Sequence, residues 1–306
     1  MQSNESKQLE RLLWQSGGKQ TYTNPHYLQQ YLDQSRIINA RPYVLPTRFE
    51  RDFNIRKSNF LNMDYYTLGP ENAQKTILYL HGGGYVNQPF DQNWPFIYDI
   101  SERTQAKVVI PIYPKAPNFH ATLSFEKVLP LYEQLLESTD SSQLTILGDS
   151  AGGGFALALA QLLKEKEVPQ PQNIVLISPW LDIALTNPDI EKEKLETKDP
   201  MLGVNGLQIM GKAYAGELDL HNYLVSPIHG PLKQLGNISV FIGTHDLLLA
   251  DCQKLHERCL KENIPLDYFE YEGLNHVFPL FQTPESEDAR KKIVNIILGE
   301  PLENLD

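Results

Sequence analysis

The chain has 306 residues, of which 41% are hydrophobic, 21% charged and 10% aromatic, a globular composition that excludes collagen-like, solenoid and disordered classes and suffices for one large core. Lys and Arg number 27 against 38 Asp and Glu, and the resulting net charge of −11 repels phosphate backbones and anionic lipid surfaces, so nucleic acid is not an expected partner. The longest apolar stretch, residues 155–160, falls far short of the roughly 18 residues a spanning helix needs, so no membrane insertion is expected.

In chain order, residues 1–11 (MQSNESKQLER) are polar and lack the apolar core of an export signal, which predicts a cytoplasmic protein. Residues 1 to about 45 have helical spacing with aromatics of exposed type, Tyr22, Tyr27 and Tyr31. Residues 48–60 and 63–68 read as antiparallel strands at one sheet edge. Six β-rich runs follow, at 76–80, 107–113, 143–147, 173–177, 238–242 and 266–271. Helical spacing fills 91–104, 124–137, 151–166, 246–262 and 285–298. This alternation predicts an α/β fold, a mostly parallel sheet with helices on both faces. Residues 183–224 break the alternation as a charged, loop-rich insertion. Together with residues 1–45 they are expected to cap the sheet's carboxyl edge, where ligands bind in such folds. The whole chain, 1–306, is read as a single domain with these cap elements.

The segment QLTILGDSAGGGFALALAQL carries the sharpest chemistry. A buried strand runs into Gly148-Asp149-Ser150-Ala151-Gly152 and straight on into a helix, the strand–turn–helix setting of a G-x-S-x-G nucleophile elbow. Ser150 is the expected nucleophile. Small residues two before and two after it leave room for neighbouring chain. A phosphate loop is the competing reading of Gly152-Gly153-Gly154, but neither G-x-x-x-x-G-K-[ST] nor G-x-G-x-x-G is present.

After the strand TILYL comes His81-Gly82-Gly83-Gly84-Tyr85, whose glycines expose backbone N–H groups for a developing oxyanion. The expected donors are Gly83, Gly84 and Ala151, with Gly82 a weaker candidate. A base and an orienting acid are expected downstream in the order Ser, Asp, His. His276, in the loop YEGLNHVF, lies past the last strand; His221 and His229 fall in or near the insertion, and His256 falls mid-helix. Asp246 ends the strand ISVFIG, one βα unit before His276, and is preferred over Asp182 in SPWLD, while its neighbour His245 reads as structural.

Cys252 and Cys259 are seven apart on one helix, about 10.5 Å along its axis, beyond disulfide reach, and read as free thiols. No C-x-x-C or H-E-x-x-H spacing suggests a metal, and serine chemistry needs no cofactor.

Together HGGGY, GDSAGGG, GTHDLLLAD and the LNH loop resemble the hormone-sensitive-lipase group of α/β-hydrolases over about residues 70–285. The resemblance implies an eight-stranded α/β-hydrolase sheet with a cap, carboxylic-ester hydrolysis through an acyl-enzyme, and a catalytic triad of Ser150, Asp246 and His276 with oxyanion donors Gly83, Gly84 and Ala151. It also implies a monomer or homodimer. Two departures stand out: YPKAPN occupies the place of a segment like YRLAPE, and Gly154 stands where asparagine is common. The charged stretch EKEKLETKDP is unlike the apolar lid of an interfacial lipase, so the expected substrate is a small-molecule ester with a short-to-medium acyl chain. An amidase or peptidase on the same fold, and a non-catalytic small-ligand receptor, are the alternatives.

Overall fold

The computed structural model describes residues 2–302. It begins with four helices, α1 (Asn4–Ser16), α2 (Gln20–Thr23), α3 (Pro25–Asn39) and α4 (Thr47–Asp52). Strands β1 (Arg56–Phe60) and β2 (Met63–Leu68) form a hairpin whose two turn residues, Leu61 and Asn62, both have positive φ, as the twist of a tight hairpin demands. The strand expected over 48–60 therefore divides. Pro46 starts α4, Phe49 turns into the core, and Asn54 at positive φ ends the helical path before β1 begins.

From there strand and helix alternate: β3 (Thr76–Leu80), α5 (Asn93–Thr104), β4 (Lys107–Pro111), α6 (Ala121–Leu136), β5 (Leu144–Asp149), α7 (Ala151–Glu165) and β6 (Asn173–Ile177). The insertion that follows contains three helices, α8 (Asp189–Lys192), α9 (Leu195–Lys198) and α10 (Val204–Ala215). The chain then closes with β7 (Asn237–His245), α11 (Leu249–Glu262), β8 (Leu266–Asn275) and α12 (Pro284–Leu298). The last helix has clear local signals: Thr283 accepts from the Ser286 N–H, Pro284 opens the first turn beside Glu285 and Glu287, and Gly299 closes it at φ 74°.

The sheet has eight strands in the order β1-β2-β4-β3-β5-β6-β7-β8. β3 to β8 are parallel, and β2 pairs antiparallel with both β1 and β4. β3, β5 and β6 are buried along their whole length, because helices cover both faces of a parallel sheet. Alternate residues feed two cores: Leu78 and Leu80 face α6, α7 and α11, while Ile77 and Tyr79 face α5 and α12. α7 is buried almost all round, as an Ala- and Leu-rich helix at the centre should be.

The strand order places the site. The chain leaves β3 toward β4 on one side and returns to β5 on the other, so the loops after β3 and β5 diverge and open a crevice at the carboxyl edge. Leu80 lies directly beside Gly148 across that seam, so the glycine loop and the serine turn emerge next to each other. Among the described residues, no helix is long and apolar enough to cross a membrane.

Candidate active site

Ser150 sits between β5 and α7 at φ 54° and ψ −122°, a conformation that costs a non-glycine residue of order 1–3 kcal/mol. Its own backbone holds it there: the Ser150 N–H donates to Ile177 O at 2.8 Å, and its carbonyl accepts from Trp180 N at 2.9 Å and Gly154 N at 3.1 Å. Backbone also crowds in from both flanks. A Cβ on Gly148 would lie 2.2 Å from Gly152 O, and one on Gly152 would lie 1.9 Å from Leu80 O, so the turn closes only with hydrogen at both positions. The departure at Gly154 has the same cause, since a Cβ there would lie 2.1 Å from Trp180 O.

The serine hydroxyl lies 2.9 Å from His276 Nε2, and His276 Nδ1 lies 2.9 Å from Asp246 Oδ2. His276 and Asp246 are buried and Ser150 is 9% exposed, just enough to meet a ligand. Asp246 is fixed by a second bond, because its Oδ1 accepts from the Leu248 N–H at 2.9 Å. Burial by itself would lower the imidazole pKa, but the charge and hydrogen bond of Asp246, then Asp199 and Asp149, lift it above the ordinary 6.5.

Gly83 and Gly84 line the same cavity as Ser150, and Ala151 follows the serine at the start of α7. In a trans peptide the carbonyl of one residue and the N–H of the next point in opposite directions, so pinning a carbonyl aims the following N–H. Gly82 O accepts from His81 Nδ1–H at 2.6 Å, which aims the Gly83 N–H away from His81. Gly83 O accepts from Val86 N, Asn87 N and Asn87 Nδ2 at 2.9–3.1 Å, which fixes the peptide bearing the Gly84 N–H. Gly83 reaches this path at φ 119°, where a side chain would be strained. The N–H groups of Gly83, Gly84 and Ala151 have no acceptor among the described residues. Gly82 differs, because its N–H donates to Asp149 Oδ1 at 3.0 Å.

Asp149 gathers more than Gly82. Its Oδ1 also accepts from Tyr79 Oη–H at 2.5 Å and Asn93 Nδ2 at 3.4 Å, which clamps the glycine loop to the serine turn. Burial raises its pKa. This role went unread in the sequence, where Asp149 is only the variable residue of G-x-S-x-G.

The remaining sequence candidates lie elsewhere. Asp182 accepts from Ala184 N, Thr186 N and Thr186 Oγ1, which orders the start of the insertion. His245 Nδ1 pairs with Glu10 Oε1 of α1 at 2.7 Å. His256 stacks on Tyr268, and His221 packs edge-on against His229. Cys252 and Cys259 are both free and buried on α11. Among the described residues, no cluster of three or more His, Cys, Asp or Glu could hold a metal ion.

A cavity of about 230 Å³ opens over Ser150 and His276. One wall comes from the N-terminal helices, with Leu13, Ser16 and Tyr22; another comes from the insertion, with Met201, Leu202 and Leu207. Tyr22 and Tyr31, of exposed type in sequence, both turn inward. Tyr22 lines the cavity, and Tyr31 Oη–H donates to Asn87 Oδ1 behind the glycine loop. α2 and α10 pack closely enough that a Cβ on Gly206 would lie 2.5 Å from Tyr22 Cα.

Known proteins are similar to this chain in sequence and fold. An acetyl-hydrolase of Streptomyces hygroscopicus is 29% identical over 220 residues, covering 72% of this chain and 73% of that protein. A Staphylococcus aureus crystal structure provisionally described as an esterase superposes with a TM-score of 0.86 at 28% identity, over 91% of this chain and 95% of that one. EstE7, a hormone-sensitive-lipase homolog from a metagenome library, has the same fold, with a TM-score of 0.80 at 22% identity over 96% and 98% of the two chains. The family model for the alpha/beta hydrolase fold matches residues 77–280, from β3 through the His276 loop. The chain belongs to the alpha/beta hydrolases.

Proposed function

We propose that this carboxylic ester hydrolase works through a seryl acyl-enzyme on small esters with short-to-medium acyl chains. The observation that carries the reading is the unbroken run from Ser150 Oγ through His276 to Asp246, on a cavity lined by Gly83 and Gly84, whose N–H groups have no acceptor among the described residues. His276 Nε2 takes the hydroxyl proton as Ser150 Oγ bonds to the ester carbonyl carbon, and the oxyanion is held by the N–H groups of Gly83, Gly84 and Ala151. His276 then returns the proton to the departing alcohol as the ester C–O bond breaks. Water, deprotonated by the same imidazole, attacks the acyl-enzyme and releases the acid, while Asp246 holds the ring's tautomer throughout.

The substrate class follows from size and surface. At about 230 Å³ the cavity is below the roughly 300–1,000 Å³ of sites for drug-sized ligands, which favours small esters. The similarity to an acetyl-hydrolase supports the same end of the range. Residues 1–45 and 183–224 act as its cap, and the outer face of the insertion is charged and exposed at Glu191, Lys192, Glu193, Lys194 and Lys198, a poor match for an oil surface.

Hydrolysis of p-nitrophenyl esters from acetate to laurate tests the proposal. Activity should peak at short or medium chains and fall by roughly 10⁴-fold or more in Ser150→Ala; a mutant with near wild-type turnover would overturn the assignment. The base must be neutral and its pKa is raised, so kcat/KM should fall on the acid side with a midpoint above 6.5. A pH profile with its midpoint at or below 6.5 would contradict the carboxylate arrangement around His276.

A further inference from the structure

A third carboxylate stands behind the acid of this relay. Asp199, in the insertion between α9 and α10, is fully buried. Its Oδ1 accepts from the N–H groups of Met201 at 2.7 Å and Leu202 at 2.9 Å, and its Oδ2 accepts from the N–H of Leu247 at 2.8 Å. The first two donors belong to the cavity wall, and the third belongs to the residue that follows Asp246. All three partners donate, which suits the anion.

We propose that Asp199 is a positioning residue for the hydrolysis: its one carboxylate fixes both the peptide following Asp246 and the Met201–Leu202 wall, so the acid and the substrate-facing surface are set as a unit. The proposal rests on the reading of Ser150, His276 and Asp246 given above. The Leu247 N–H shares its peptide plane with the Asp246 carbonyl, so holding one fixes the other. The next N–H, of Leu248, closes on Asp246 Oδ1. Two successive N–H groups of the acid loop are thus held by two different carboxylates, and only the second comes from the loop itself. The N-terminal helices join the same point, because Lys19 Nζ, ahead of α2, donates to the backbone carbonyls of Asp199 and Glu196.

The charge acts alongside the hydrogen bonds. The groups that face Asp199 are Asp246, His276, Lys19 and Tyr22; those that face His276 are Asp246, Asp199 and Asp149. Burial and the neighbouring Asp246 raise the Asp199 carboxyl, while His276 and its N–H donors oppose them; in its charged form Asp199 joins Asp246 and Asp149 in favouring the imidazolium, so its removal should shift the titration of the base toward acid.

Asp199→Asn separates these effects from mere folding. The amide keeps the volume and leaves an oxygen for Met201 and Leu202, but turns its NH₂ toward the Leu247 N–H. Expected are a fall in kcat of tenfold or more with KM changed less than threefold, and an acid limb of kcat/KM displaced to lower pH. Asp199→Glu, which restores the charge one methylene out of place, should return the limb toward wild type while kcat stays low. Should Asp199→Asn not fold, Asp199→Ser is read in the same way. Folded Asp199→Asn with kcat within twofold of wild type and an unmoved limb would overturn the proposal. That failure is distinct from failure of the ester-hydrolase reading, which shows as an inactive wild type or an active Ser150→Ala in the same assays.

Discussion

The serine turn and the cap are built by different means, although both border the same cavity. At the turn, backbone meets backbone: Gly152 against Leu80 O, Gly148 against Gly152 O, and the Ser150 N–H and carbonyl tied to β6 and its following loop. In the cap, side chains do the fastening. Ser3 and Ser6 of the N-terminal segment donate to Glu285 of α12, Glu10 meets His245, and Lys19 holds two carbonyls of the insertion. Contacts between main chains admit one residue type and leave a sequence motif. Contacts between polar side chains admit several and leave none, so the serine turn can be read from the letters residue by residue, while the cap shows there only as a break in the alternation.

The contrast can be broken most forcefully at the turn. Gly152→Ala would put a methyl 1.9 Å from Leu80 O, a backbone atom of the central sheet, and should cost about 3 kcal/mol or more. Urea unfolding and ester hydrolysis should both show severe loss; a well-folded, active variant would refute the claim that main-chain crowding defines this region. A medium effect is expected at Lys115, an ionisable side chain inside the core. Lys115 is 2% exposed, donates to Tyr113 O at 2.7 Å, and has no carboxylate partner among the described residues; burial lowers its pKa to about 7.

The sign of the pH effect follows. Between pH 7 and 10.5 the unfolded chain holds a proton that the folded one lacks, so stability should rise with pH across that window. Lys115→Met should remove that part of the slope and stabilise the protein at pH 7 by a few kcal/mol, on the order expected for such a shift. Urea unfolding of both proteins at pH 7 and pH 10 measures the difference, and equal slopes would count against a neutral buried amine. The smallest effect belongs to the cap. Ser6→Ala deletes one hydrogen bond of 2.7 Å to Glu285 and should cost about 1 kcal/mol, with kcat on an acetyl ester within twofold of wild type. A tenfold loss of kcat would show the cap to be as unforgiving as the turn.

This division also explains what the sequence revealed. The six parallel strands were legible because burial on both faces leaves unbroken apolar runs such as TILYL and NIVLI. Ser150, Asp246 and His276, which the structure brings within hydrogen-bond reach, each follow a strand end, and that position together with the G-x-S-x-G spacing and the order Ser, Asp, His ranked them. Short polar elements were harder. α4 hid inside an expected strand because TRFERD carries one buried residue, Phe49, and no periodic face. Helices α8 and α9, at four residues each, are too short for a periodic signal. Asp199 lay in EKEKLETKDP, where composition suggests a solvated surface and only the folded chain shows three N–H groups converging on one carboxylate. Lys115 gave no signal beyond its unusual place in YPKAPN.

The attachment of α1 to α12 has a bearing on how the protein is made. Leu13 and Ser16 line the cavity, yet the segment that carries them is moored through Ser3 and Ser6 to Glu285, nearly the whole length of the chain away. A ribosome delivers the mooring point some 280 residues after the piece it receives. The segment's other ties come earlier in the chain, Lys19 to the insertion and Glu10 to His245, so the wall made first is fastened in stages, with Glu285 the last of the three points to be synthesised.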